Sequence, residues 1–304
     1  MNENTVKTHI MDKPKIKKSD LKKELDSIEN FVFDLDGTLL NSSHNISDKT
    51  AKTLFDLKQK GKKIIFCSGR PWYFIKKYYQ QILPDFPIIS CNGSLIYDFQ
   101  QNSIIFSKTF LSENLDKIFK ILTENNIIFL IYTTTNMLAF SKGKIETSWF
   151  FYLKNQQKTL GQEQKLPLEF FDYSDFSAKQ VSQLKVVKFL LIKRDSDPEK
   201  FEKATQELDQ ISGIYLVQSQ PDVVDIMISG SNKGQGLQFL AQNYQLDLQK
   251  TLVFGDAKND LPMFAVAKFA IAMGQATQEV AKDANFVTKS NDEDGIFAFF
   301  NEYD

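Results

Sequence analysis

The sequence predicts an α/β protein: a doubly wound parallel sheet, interrupted along the chain by an inserted α+β domain. Three observations carry that expectation. Apolar runs ending at Phe33, Cys67 and Cys91 each stop at a polar turn, and helical stretches alternate with them. The same strand and helix alternation returns after Lys233. Between the two lies a stretch whose strands, at 127–132, 137–140, 186–192, 214–217 and 223–228, are spaced mostly by turns. Only a few helices, including 112–125 and 198–208, break it, a pattern that suits antiparallel pairing.

Phe31-Val32-Phe33 is continuously apolar, as expected of a strand buried on both faces. Ser47 can cap a helix that runs to about Lys60 and is ended by Gly61. Lys63 to Cys67 reads as a second buried strand, followed by Ser68-Gly69-Arg70-Pro71 and another helix. Pro87 to Cys91 reads as a third, stopped by Asn92-Gly93. After the insertion come a helix at 234–243, a strand at 251–254, a helix at 261–267 and a strand at 269–273. The expected domains are an N-terminal extension at 1–29, a split core at 30–96 and 218–304, and an inserted domain at 97–217.

Composition narrows the function classes. The formal net charge is -1, with no clustered basic helix, so nucleic acid is not an expected partner. Two cysteines, Cys67 and Cys91, cannot build a disulfide framework and fit a reducing, cytoplasmic setting. Two histidines, His9 and His44, leave little for histidine-bound zinc or a histidine-dependent triad. The N-terminus mixes charges without the apolar run of a secretory signal, and reads as a loose tail or a short surface helix. No stretch is apolar enough to suggest a membrane span. Phenylalanine is abundant, with 27 residues, and reads as core filling.

The chemistry gathers at strand ends, where an open parallel sheet binds its ligands. Asp34-Leu35-Asp36-Gly37-Thr38 follows the first strand, and two carboxylates so spaced can reach a common point. A cation relieves their repulsion, and hard oxygen ligands favour Mg²⁺, which also suits a substrate phosphate. An acidic turn is the plainer reading of this motif alone. Ser68-Gly69-Arg70 offers a hydroxyl and flexible backbone before a helix, suited to phosphate or to an ordinary turn. Lys233, before Gly234 at a helix start, is a candidate cation or a solvated lysine. Gly255-Asp256-Ala257-Lys258-Asn259-Asp260 adds two carboxylates and an amide at another strand end. Four such elements on one sheet edge point to a phosphate and metal site.

In this order the motifs resemble those of the haloacid dehalogenase superfamily of phosphohydrolases, and more narrowly its Cof-type branch (subfamily IIB). Asn92-Gly93-Ser94, Ala272-Met273-Gly274 and Asn291-Asp292-Glu293-Asp294-Gly295 add to the likeness, which spans residue 30 to the C-terminus. The resemblance implies a Rossmann-like core with an α+β cap and a Mg²⁺-dependent phosphatase acting on a small phosphorylated metabolite. It implies Asp34 as nucleophile, forming an aspartyl-phosphate, and Asp36 as general acid and base. Asp34, the Asp36 main-chain carbonyl and Asp256 would hold Mg²⁺. Ser68, with the Gly69 backbone, and Lys233 would neutralise the phosphoryl group. Asn259 and Asp260 would order Lys233 or the metal's waters, Thr38 would fix the turn, and Arg70 would support the phosphate loop. The ion pumps of the superfamily carry Thr where this chain has Asp36, which argues against a pump. Ala257 and Gln275 depart from the residues usual there and leave the fine shape of the pocket open.

The resemblance places the cap after Asn92-Gly93, so substrate choice is expected within 97–217. Trp149-Phe150-Phe151-Tyr152 reads as a buried face of a cap helix or as a ring platform for a flat substrate. Lys193-Arg194 is either solvated or a second phosphate contact, and His44 either an exposed loop residue or a substrate contact. The two thiols read as small core residues or as a redox switch. Rival functions are a phosphomutase or phosphotransferase with the same nucleophile, and a non-catalytic phospho-ligand sensor. Retention of Asp34, Asp36 and Asp256 weighs against the sensor. Oligomeric state has no signature in the sequence.

Overall fold

The computed structural model describes residues 18–159 and 166–302, so most of the N-terminal extension, residues 1–17, lies outside the described residues. The rest of the extension includes a helix, Lys18–Leu25. The chain divides into two compact units, Met1–Phe66 with Leu237–Asp304, and Cys67–Gly236.

In the first unit, strand β1 (Asn30–Phe33) is buried at all four positions, as a continuous apolar run requires. The helix Asp48–Gln59 begins where expected: the Thr50 N–H donates to Ser47 Oγ at 3.1 Å. Gly61, with φ of +78°, turns the chain after it into β2 (Lys63–Phe66). β2 pairs parallel with β1, and Phe66 stands opposite Phe33.

The second unit departs from the parallel pairing expected of the third apolar run. The third apolar run forms β3 (Ile88–Ser90), which pairs antiparallel with β4 (Leu95–Asp98), itself paired antiparallel with β5 (Ser103–Ser107). Its parallel link is a single bridge between Cys67 and Ile89. The reason is the Asn92-Gly93 turn: both residues adopt positive φ, +53° and +86°. A turn of that hand folds the chain straight back, giving β3 a hairpin partner. The Asn-Gly pair between two apolar runs was the signal for it.

The remaining strands of this unit are β6 (Phe129–Thr133), β7 (Met137–Phe140), β8 (Leu168–Phe171), β9 (Val186–Ile192), β10 (Ile214–Gln220) and β11 (Val223–Ile228). They form one six-stranded sheet in the order β10-β11-β9-β6-β7-β8. Neighbours are antiparallel except β7 and β8. Helices Ser112–Glu124 and Pro198–Asp209 bury their apolar faces in the core of this sheet. Phe119, Phe129, Phe140 and Phe189 meet there, with Phe129 stacked on Phe140 at 5.1 Å, which accounts for part of the phenylalanine excess. The pairing runs through Ile228, past the residue, 217, at which the sequence ends the insertion.

Back in the first unit, β12 (Thr251–Gly255), β13 (Phe269–Ala272) and β14 (Phe286–Val287) complete a parallel sheet of order β14-β13-β12-β1-β2. Phe33 stands opposite Phe254 as well as Phe66, so β1, β2 and β12 end level at their carboxyl edge. The expected α/β architecture, a parallel core sheet with a separate α+β region, is what the chain forms. No described helix is long and apolar enough to cross a membrane.

Candidate active site

Within the first unit, the chemistry starts one residue past β1. Asp34 is held at the strand end by its N–H, which donates to the Phe254 carbonyl at 3.1 Å. The chain then turns sharply, with N–H bonds from Leu39 to Asp34 O and from Leu40 to Leu35 O. Gly37 makes the turn with φ of +75°, and a Cβ there would fall 2.4 Å from Asp256 Oδ2. Only glycine combines that backbone hand with that approach. Thr38 Oγ1 donates to Asp256 Oδ1 at 3.0 Å, fixing the carboxylate beside the turn.

Carboxylate oxygens of Asp34, Asp256 and Asp260 all lie within 4.8 Å of one another, with Asp34 and Asp260 buried and Asp256 half-buried. Three like charges so close repel strongly in a partly dry setting. Asp260 is anchored by backbone: its Oδ2 accepts from the N–H of Asp256 at 2.9 Å and of Ala257 at 3.0 Å. The donor set is oxygen alone, which suits a small hard cation such as Mg²⁺ rather than zinc. The geometry thus brings Asp260, read from sequence as a supporting residue, into the carboxylate group itself. Asn259 is buried beside it in the turn Lys258–Asp260.

Asp36 is only half-buried, and His44 Nδ1 lies 3.6 Å from its Oδ1. His44 has a φ of +56°, so a left-handed turn directs the loop histidine toward Asp36. Gln275 acts as a cross-link, since its Nε2 donates to the Gly37 carbonyl and its Oε1 accepts from the Asn291 N–H at 3.2 Å. One side chain therefore ties the Asp36 turn to the segment carrying Asn291, Asp292 and Glu293.

Within the second unit, Ser68 and Lys233 are fully buried. The Arg70 N–H donates to Ser68 Oγ at 3.1 Å, and the Asn92 N–H to Ser68 O at 3.0 Å. The Lys233 segment joins them: Cys67 Sγ lies 3.9 Å from Lys233 O, and a Cβ on Gly93 would meet Asn232 O at 2.2 Å. Arg70 turns aside, its guanidinium 5.5 Å from the Tyr78 ring and its Nη1 3.4 Å from Tyr78 Oη. A buried pair that sequence reasoning missed, Lys188 and Asp225, reaches this loop through Gly69 O. Its signal was a lone charge in each of two otherwise apolar strands, Val-Val-Lys-Phe and Val-Val-Asp-Ile.

Of the other expectations, Phe150 is buried and packs edge-on to Phe170 at 5.2 Å, while Phe151 is exposed. Lys193 is exposed, and Arg194 pairs loosely with Asp222 at 3.6 Å. Cys67 and Cys91 are both buried free thiols, and burial pushes Cys91 up to about 11, away from the reactive thiolate. His9 lies outside the described residues.

Comparison with known proteins gives a consistent picture. The family model described as haloacid dehalogenase-like hydrolase matches residues 31–300. The chain is 33% identical over 279 residues to a Mycoplasma genitalium protein, spanning 91% of this chain and 98% of that one. It is 30% identical over 281 residues to a 5-amino-6-(5-phospho-D-ribitylamino)uracil phosphatase of Bacillus subtilis, covering 89% and 96% of the two chains. Among solved structures, a haloacid dehalogenase-like hydrolase from Bacteroides thetaiotaomicron aligns with a TM-score of 0.72 at 25% identity, covering 90% of this chain and 98% of that one.

Proposed function

The chain belongs to the haloacid dehalogenase-like hydrolases, in their Cof-type branch, and is a phosphatase; we propose that it is Mg²⁺-dependent and works through an aspartyl-phosphate on Asp34. The observation that carries this reading is the convergence of Asp34, Asp256 and Asp260 within 4.8 Å. An isolated acidic turn would not bring three carboxylates from two strand ends together, two of them buried.

Asp34 attacks phosphorus, the ester oxygen departs, and the phosphoryl group rests on the Asp34 carboxylate as an acyl phosphate. Asp36, two residues on and partly exposed, donates a proton to the departing oxygen. It then takes a proton from the water that attacks the acyl phosphate, returning Asp34 and releasing inorganic phosphate. Ser68 and Lys233 offset the charge on the transferring oxygens, where positioned donors do most of the work. Asp34, Asp256 and Asp260, with the Asp36 main-chain carbonyl, would hold Mg²⁺, whose charge when bound would offset the repulsion between a carboxylate nucleophile and an anionic substrate. Thr38, through its bond to Asp256, keeps that carboxylate oriented.

The substrate is a small phosphorylated metabolite, with the residues that choose it in 97–217. A relative named for a phosphorylated ribitylaminouracil supports that size and chemistry. Buried free thiols fit a cytoplasmic setting.

The test is release of inorganic phosphate from a panel of sugar phosphates, nucleotides, flavin mononucleotide and pyridoxal phosphate. Wild type and Asp34→Asn are compared, each with and without Mg²⁺. Release that needs Mg²⁺ and disappears in the variant is the expected result. Equal release by the variant would refute Asp34 as nucleophile, and loss of the substrate ester only when an alcohol is added, with the phosphoryl group recovered on that alcohol and not as inorganic phosphate, would make the enzyme a phosphotransferase.

A further inference from the structure

Strand β9 is apolar apart from Lys188, and β11 apart from Asp225. Charges placed so deep are retained only with partners, and an apolar pair is often as stable. Lys188 Nζ lies 2.8 Å from Asp225 Oδ2, with the two side chains 3% and 0% exposed. The same ammonium donates to Gly69 O at 3.1 Å, and Asn92 Nδ2 donates to Asp225 Oδ2 at 2.9 Å. The Asn92 N–H donates to Ser68 O, and the Arg70 N–H to Ser68 Oγ. These bonds close a ring on Ser68.

The Gly69–Arg70 peptide is therefore held at both polar ends, its oxygen by Lys188 and its N–H by Ser68 Oγ. Oγ accepts there through one lone pair, and its proton can still be donated to a ligand oxygen. An ammonium on the peptide oxygen also polarises the N–H at the other end, strengthening that bond. Gly69 leaves no room for drift: a Cβ there would sit 2.9 Å from Asn92 Oδ1 and 3.5 Å from Lys188 Nζ. Asp225 Oδ1 is buried without a hydrogen-bond partner among the described residues, so the carboxylate bonds through Oδ2 alone.

We propose that Lys188, seated on Asp225, is a positioning residue for Ser68: it fixes the Gly69–Arg70 peptide so that the Ser68 hydroxyl presents its proton to a phosphoryl oxygen. This rests on the reading of Ser68 as a phosphate contact.

The experiment removes both charges together, as Lys188→Met/Asp225→Leu and as Lys188→Met/Asp225→Asn, each with and without Ser68→Ala. Thermal unfolding, kcat and KM for p-nitrophenyl phosphate, and calorimetric binding of inorganic phosphate are read. At least one pair variant is expected to unfold cooperatively near the wild-type Tm. Its kcat/KM should fall about 10²-fold, the scale of a misplaced catalytic group, with weaker phosphate binding. Ser68→Ala should then add little, although it costs heavily in wild type. A folded pair variant with wild-type kinetics and phosphate binding would overturn the proposal, as would equal Ser68→Ala losses in both backgrounds. Failure of both pair variants to fold would make the ring a folding element and overturn it too. Phosphate binding tests the ring even if wild type releases no phosphate, so the two failures are told apart.

Discussion

Thr38 and Asp256, 218 residues apart in the chain, are joined by a hydrogen bond of 3.0 Å from the threonine hydroxyl to the carboxylate. That bond links the turn after β1 to the turn after β12, and it leaves Asp256 Oδ2 to other partners. Thr38→Val keeps the shape and removes the donor. The expected outcome is a folded enzyme whose half-saturating Mg²⁺ concentration rises about 10-fold, the usual effect of losing a partner behind a metal ligand. Mg²⁺ titration of phosphate release checks it; an unchanged titration would separate Thr38 from the metal site.

Gln275 makes a second cross-link, from the Gly37 carbonyl to the Asn291 N–H. Gln275→Ala should cost about 1 kcal/mol of stability, the net scale of exchanging such bonds for water. Since no reacting group is touched, kcat should change by less than about 3-fold. Urea unfolding and steady-state rates would show this, and a large kcat loss at normal stability would assign Gln275 a direct role.

Asp292 supports a pH prediction. The Ser42 hydroxyl at 2.5 Å and its N–H at 2.7 Å both donate to the Asp292 carboxylate and hold its pKa below the usual range. A depressed carboxyl contributes stability that is fully present above the unfolded pKa of about 3.9 and is lost as pH falls through the folded value. Wild type should therefore melt above Asp292→Asn at pH 7, with the gap closing below about pH 4. A gap that persists unchanged into acid would exclude the carboxylate charge as its source.

The cysteines give a prediction with no mutation. Cys67 and Cys91 are the chain's two cysteines, and both are buried and free. With Cys91 pushed up to about 11 by burial, no thiol should react with a disulfide reagent in the native protein at pH 7. Both should react on unfolding. Rapid native labelling would revive a redox role.

What the sequence discloses and what it hides differ for physical reasons. Ser47 and Gly61 delimit a helix because capping is a local interaction, complete within four residues. Asp34 and Asp256 stand out in the sequence because carboxylates at strand ends are a recognisable pattern, and the structure brings their oxygens together with those of Asp260. The antiparallel turn of β3 was written in Asn92-Gly93 but was outweighed by the run of Pro87 to Cys91 as a buried strand. The partnership of Lys188 with Asp225 joins two strands 37 residues apart. Nothing in either segment alone names its mate, so only the register of β9 and β11 could disclose it.

The covalent intermediate is the centre of the account, and Asp36→Asn offers the most direct view of it. With p-nitrophenyl phosphate the leaving group needs no proton, so Asp34 can still be phosphorylated while attack by water is slowed. Acid quenching in Mg²⁺, borohydride reduction and peptide mapping should find homoserine in place of aspartate at position 34. Phosphate release by the same variant, with aspartate 34 unmodified at every time point, would contradict nucleophilic catalysis by Asp34.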